Sequence, residues 1–296
     1  MTRSEKPIHR VHSVHDRLLV VAKERNRLFN ELLQYFAMER FLYRLGQSPA
    51  SRHFVLKGAL LLTAHANLPF RPTRDIDLMG WSDNSEASVR KLLQSACLHA
   101  VSDDGMRFDA ESMKTERIKE DADYAGVRAR FSGYLGRARI AMQVDVGFGD
   151  VITPAPTLID YPVLLGMPRP RLRAYPVETA IAEKLQAMVF LGELNSRMKD
   201  FLDVWLLFSN TALDPGLLQE AISATFAHRR TDIPNNPVCF SKEFAKAKQA
   251  QWTAMLRKNP IHSVPQDFAS TLEEIQAVVI PIFSRLTRTG KRCDGV

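Results

Sequence analysis

Six of the chain's 16 prolines, Pro154, Pro156, Pro162, Pro168, Pro170 and Pro176, fall within one stretch of 23 residues. Each fixes φ and removes a backbone donor, so the stretch disfavours a long helix and marks a crossing between differently patterned halves. Before it, apolar residues recur with both helical and strand periods. After it, from Val177, only the helical period remains: Ala180, Ile181, Lys184, Leu185 and Met188 share one face, and Phe201, Val204, Leu207 and Phe208 another. The expectation is an α+β chain with a mixed first domain over residues 1–160 and an all-α second domain over 161–296. At 296 residues with 45% hydrophobic content, the chain can bury its own core, and disorder as the main state is excluded.

The first half reads in order. Ser13-Val14-His15-Asp16 fits a capping box, opening a long amphipathic helix whose stripe runs Val14, Leu18, Val21, Leu28, Leu32 and Tyr35. A second helical stretch, Met38 to Leu45, ends at Gly46. The apolar run His53 to Leu56 reads as a buried strand broken at Gly58, with Ala59 to Ala64 as a helix after the turn. Leu68 to Thr73 carries two prolines and reads as a loop, before Asp75-Ile76-Asp77-Leu78-Met79 alternates with the period of a strand. Ser85 to Cys97 is helical, and the polar stretch up to Ala125 has little pattern. Val127–Phe131 and Ile140–Val146 then form an antiparallel pair, joined through a turn around Gly133 to Gly136.

The cysteines, Cys97, Cys239 and Cys293, are odd in number and lack metal or disulfide spacing, so they read as reduced thiols in a cytoplasmic protein. No apolar run approaches membrane-spanning length, because Lys57 splits the longest candidate, and the first residues lead into no apolar signal core. A net charge of +7 favours a polyanionic partner without requiring one.

The acidic strand carries the chemistry. Asp75 and Asp77, at i and i+2, stand about 6.6 Å apart along the backbone on one face. Their repulsion at an effective dielectric of ~20 is on the order of 2.5 kcal/mol, which bound cations would reverse; oxygen donors of this kind suit Mg²⁺ or Mn²⁺. Asp145 adds a third carboxylate between Val144 and Val146, an awkward place for an acid unless it faces a site or a cation. Lys57-Gly58-Ala59 sits at a strand-to-helix turn, where backbone N–H groups can receive a phosphate. Three acids behind such a turn fit two-metal phosphoryl transfer.

Four segments extend this reading: Phe54-Val-Leu-Lys-Gly-Ala-Leu, Arg71-Pro-Thr-Arg-Asp-Ile-Asp-Leu78, Ala182-Glu-Lys-Leu-Gln-Ala-Met188 and Asn195-Ser-Arg-Met-Lys-Asp-Phe-Leu-Asp203. Together with Met38-Glu-Arg-Phe-Leu-Tyr-Arg-Leu45 they resemble the AbiEii/AbiGii nucleotidyltransferase toxin family over roughly residues 13 to 208. The resemblance implies a polymerase-β-like nucleotidyltransferase core with a helical C-terminal domain, acting as the toxin of a toxin–antitoxin or abortive-infection pair. It also implies an NTP substrate, an RNA acceptor such as the tRNA 3′ end, and a cognate antitoxin as partner. By position, Gly58 matches the turn glycine, Asp75 and Asp77 the metal-binding pair, Asp145 the third carboxylate, Lys184 the lysine on the triphosphate, and Asp200, with Asp203, the acid of the last motif. Ala59 departs from the Gly or Ser found in many nucleotidyltransferases, leaving phosphate contacts there to backbone N–H groups.

The expected chemistry is therefore two metals on Asp75 and Asp77, the acceptor 3′-hydroxyl aligned by Asp145, and β/γ-phosphates steadied by Lys184, with Asp200 orienting nucleotide or acceptor. Arg71, in the loop before the acidic strand, is a candidate phosphate contact, and Thr73, two residues before Asp75, shares its face. A phosphate on Thr73 would place about two negative charges beside the carboxylates and block nucleotide binding. His9, His12 and His15 lack a closing ligand and read as no metal site. Arg169, Arg171 and Arg173, then Lys242, Lys246 and Lys248, then Arg285, Arg288, Lys291 and Arg292 are candidate contacts for an RNA backbone. A metal-dependent nuclease or a non-catalytic RNA-binding protein could carry the same features.

Overall fold

The computed structural model describes residues 7–66, 73–120, 124–258, 261 and 263–290. These fall into two compact units, one from stretches 1–64, 72–149 and 157–174, the other from 65–71, 150–156 and 175–296.

The first unit holds a seven-stranded mixed sheet in the order β3-β4-β5-β2-β1-β7-β6. Its strands are β1 (Phe54–Lys57), β2 (Asp75–Gly80), β3 (Met106–Glu120), β4 (Tyr124–Leu135), β5 (Ala138–Phe148), β6 (Thr157–Asp160) and β7 (Arg171–Ala174). Helices α1 (Pro7–Glu24), α2 (Phe29–Gln47), α3 (Gly58–Ala66) and α4 (Glu86–Cys97) accompany it. Phe41 of α2 packs on Phe108 of β3 and Phe131 of β4, with ring centroids 5.7 and 5.2 Å away, and closes one face of the sheet.

Several sequence expectations need correction here. The first helix begins at Pro7, not Ser13, so Ser13 caps nothing and Asp16 lies mid-helix, exposed. Proline is well suited to a first helical turn, where its missing N–H costs nothing. The long opening helix is two helices: Asn26 takes φ +50 and breaks the stripe, leaving Leu28 77% exposed. α2 runs one residue past Gly46, to Gln47, and Gly46 also serves packing. A Cβ there would stand 2.5 Å from the Arg171 carbonyl oxygen, so β7 closes on the bare backbone. The patternless stretch before Ala125 is largely the 15-residue strand β3, whose register on β4 shifts between Asp109 and Lys114. That irregularity interrupts the alternation by which a strand is recognised. The β4–β5 turn falls at Gly136 and Arg137, at the far end of the expected Gly133–Gly136 stretch, while Gly133 itself is paired in β4. The proline-rich stretch carries no helix and contributes the short strands β6 and β7.

The second unit is helical, with α5 (Val177–Leu191), α6 (Met198–Asn210), α7 (Pro215–His228), α8 (Lys242–Lys258) and α9 (Phe268–Gly290). Its core is aromatic: Trp252 stacks on Phe268 at 4.9 Å, and Phe201 meets the same ring edge-on at 5.2 Å. No helix among the described residues is long and apolar enough to cross a membrane.

Candidate active site

Strand pairing brings the acids together. β2 and β5 run parallel with Asp77 opposite Asp145 and Asp75 opposite Gln143, while β1 places Lys57 opposite Asp77 and β4 places Arg128 opposite Asp145. Residues paired across strands share a face. Lys57, Asp77, Asp145 and Arg128 thus form one cross-sheet row of cation, acid, acid, cation. One oxygen each from Asp75, Asp77 and Asp145 lies within 4.8 Å of the others, and no other metal-capable cluster occurs among the described residues.

Gly58 is required twice over. It takes φ +71, which side chains rarely adopt, and a Cβ would lie 1.9 Å from Asp77 Oδ2. The Asp77 carboxylate therefore rests against the bare α-carbon at the start of α3. Lys57 is buried beside it, and Ala59 is buried in the first turn without a hydroxyl to offer. Thr73 donates its hydroxyl to Asp75 Oδ1 and its N–H to the Tyr35 hydroxyl at 3.1 Å, fixing the entry to β2. Arg71 lies outside the described residues.

Arg128 grips Asp145 with two hydrogen bonds, Nε to Oδ1 at 2.8 Å and Nη2 to Oδ2 at 2.7 Å, and Gln143 Nε2 adds a third at 3.2 Å. This paired geometry is the strongest form of carboxylate contact and fixes the plane of the acid. The bond to Asp145 pushes the Arg128 guanidinium further up from its ordinary value, with charge from Glu116 and Asp75 adding to it. Sequence reading missed Arg128. With the turn placed at Gly136 and Arg137, counting back along both strands would have paired it with Asp145.

Lys184, Asp200 and Asp203 meet in the second unit. Lys184 Nζ on α5 stands 2.6 Å from Asp200 Oδ1 and 2.8 Å from Asp203 Oδ2 on α6, and Asp203 is fully buried. The two carboxylates thus take bonds from one ammonium that carries three donors. One turn of α5 also presents Glu183 and Gln186 to Arg229, which holds Asp150 at 2.8 Å. Burial pushes the hydroxyl of Tyr175, near Glu183, well above its usual range. Neither Asp150 nor Arg229 carried a motif that could have revealed this cluster.

The other expectations fall as follows. His9, His12 and His15 lie within α1. Arg171 and Arg173 are exposed on β7, with Arg173 5.7 Å from the Trp81 ring, and Lys242, Lys246 and Lys248 lie on α8. Arg285 and Arg288 belong to α9, while Lys291 and Arg292 are outside the described residues.

Residues 40–274 match a family model described as the nucleotidyl transferase AbiEii toxin of type IV toxin–antitoxin systems. No curated protein matches. Among solved structures, MenT4, a nucleotidyltransferase toxin from Mycobacterium tuberculosis H37Rv, is 16% identical over 91% of this chain and 98% of its own, with a TM-score of 0.49. JHP933 from Helicobacter pylori is 14% identical over 89% of this chain and 96% of its own, with a TM-score of 0.47.

Proposed function

Because this chain belongs to the AbiEii family of nucleotidyltransferase toxins from type IV toxin–antitoxin systems, we propose that it transfers the nucleoside monophosphate of an NTP to the 3′ end of an RNA in the cytoplasm. tRNA is the acceptor class, pyrophosphate the second product, and arrested translation the consequence, countered by a cognate antitoxin. The observation that carries this reading is the convergence of Asp75, Asp77 and Asp145 beside the bare backbone of Gly58.

The donor set suits a hard divalent cation, Mg²⁺ or Mn²⁺: three carboxylate oxygens within 4.8 Å repel one another by about 3 kcal/mol per pair at a dielectric of ~20. Asp75 and Asp77 would hold the ions, with Asp145 shared between them and the acceptor. Bound there, such ions supply Lewis-acid activation and neutralise charge on the transferring phosphoryl group. The remaining work falls to the chain. Asp145, fixed in plane by Arg128, orients the 3′-hydroxyl. N–H groups at the start of α3 lie beside the acids and can receive phosphate oxygens. Lys57 offsets part of the acidic charge from the β1 side. As the acceptor oxygen bonds to the α-phosphorus, the bond to pyrophosphate breaks, and the hydroxyl proton leaves through the carboxylate cluster to solvent. The family resemblance assigns Lys184 to the β/γ-phosphates, and within its own unit Asp200 and Asp203 bond its ammonium. Positioning and electrostatics supply the rate, since no covalent enzyme intermediate is involved.

Incubation with each α-labelled NTP, Mg²⁺ and total tRNA tests the proposal against Asp75→Ala and Asp77→Ala. Label transfer abolished by both changes is expected. Shortened, unlabelled RNA would identify a nuclease, and binding unaffected by either change, without transfer, an RNA-binding protein.

A further inference from the structure

Strands β3, β4 and β5 have one covered face and one open face. Phe108, Phe131, Ile140, Met142, Val144 and Val146 point to the covered side, where α2 packs, and Arg90 and Gln94 of α4 bond Thr115 and the Ala110 carbonyl there. The strand register puts the alternate residues on the opposite side. Arg139, Ala141, Gln143 and Asp145 of β5 face it together with Tyr134, Ser132, Arg130 and Arg128 of β4. Arg107 stands opposite Tyr134, and Lys114 opposite Arg130, on β3.

This open face is basic and begins at the acids. From Arg128, which holds Asp145, the cations continue through Arg130 and Lys114 to Arg139 and Arg107, the last four all exposed. Arg139 Nε donates to Ser132 Oγ at 3.0 Å, and the Arg107 guanidinium lies over the Tyr134 ring at 4.3 Å. Both side chains therefore lie along the sheet, as the register requires. Two acids interrupt the strip. Asp109 receives the Ser112 N–H at 3.2 Å. Glu116 pairs with Arg130 at 2.6 Å, with both side chains about half exposed (52% and 53%). An ion pair so exposed contributes at most about 1 kcal/mol and exchanges readily for a phosphate.

We infer that the open face of β3–β5 is the track along which the sugar–phosphate backbone of the acceptor RNA lies, its 3′ end directed at Asp145. This rests on the reading of the acid cluster as a nucleotidyl-transfer centre. Charge complementarity selects a polyanion, and continuity with the acid cluster selects one whose end reacts there. The Tyr134 ring and the arginine planes beside it offer stacking surfaces that bases use and an acidic protein does not.

The test is binding of fluorescein-labelled tRNA, followed by anisotropy across a salt series. Its subjects are the wild type, Arg107→Ala/Arg130→Ala/Arg139→Ala and the matching triple lysine variant, with melting curves confirming that each is folded. Losing three phosphate contacts is expected to lower the salt slope by roughly 2–3 and to weaken binding about 100-fold at 0.1 M salt. The triple lysine variant keeps the charge and should bind within about threefold of the wild type. Unchanged affinity and slope in the triple alanine variant would overturn the inference. So would loss of binding to a polyglutamate peptide with tRNA binding intact, which would mark the face as a protein-docking surface. If the wild type transfers no nucleotide yet binds tRNA through these arginines, the transfer reading fails and the track stands.

Discussion

Replacing Gly58 with alanine strikes the site through two independent constraints. At φ +71 an alanine costs about 1–2 kcal/mol relative to glycine. Its Cβ would lie 1.9 Å from Asp77 Oδ2 and 2.6 Å from Cγ, so the carboxylate must leave its place or α3 must shift. Overpacking of this kind costs a further ~1–3 kcal/mol. Together that is roughly 2–5 kcal/mol, or about 5–15 °C in melting temperature for a domain of this size. The more telling assay is the melting-temperature shift on adding Mn²⁺. An ion at a hundred times its dissociation constant stabilises the wild type by about 2.7 kcal/mol, and Gly58→Ala should lose most of that shift because Asp77 is displaced. Ala59→Gly, one residue along, should cost about 1 kcal/mol of helix stability and keep the Mn²⁺ response. A Gly58→Ala protein with unchanged melting temperature and a full Mn²⁺ shift would refute the assignment of this contact.

Three further experiments probe other parts of the structure. Arg128→Met removes both donors from Asp145 without removing the acid. Transfer rate should fall about 10- to 100-fold with half-saturating NTP little changed, and Arg128→Lys should recover part of it; an unaltered rate would show that Asp145 needs no positioning. Lys184→Met takes the cation 2.8 Å from the fully buried Asp203, and the urea midpoint should report a loss of about 3–5 kcal/mol. An unshifted midpoint would mean the ion pair contributes nothing to folding. Burial pushes the thiols of Cys97 and Cys239 up to about 12, so in a Cys293→Ser background iodoacetamide at pH 8 should label neither until urea unfolds the chain. Labelling of the native protein would contradict their burial.

What could be read from the sequence was what local chemistry dictates. Alternation put Asp75 and Asp77 on one face, a glycine after a short apolar run gave the strand-to-helix turn at Gly58, and helical spacing gave α5 and α6. Asp145 was suspect because an acid between two valines must face something, and it faces the other two acids. What was lost depended on partners distant in sequence. β3 was invisible because its bulge breaks the alternation, and Arg128 because its role exists only once the hairpin register is fixed. Gly46 marks the end of α2 to within one residue, but its second role, leaving room for β7, depends on a strand more than a hundred residues away. Arg229 and Asp150, likewise far apart in the chain, had no local signal at all.

Asp75, Asp77 and Asp145 are proposed as a centre that adds nucleotides to RNA. The most direct measurement is the intact mass of a purified tRNA after incubation with the protein, Mg²⁺ and each NTP. RNA heavier by one or more nucleoside monophosphates is expected, with no gain from Asp77→Asn. RNA of unchanged or lower mass with the wild-type protein, or the same gain with Asp77→Asn, would contradict that assignment.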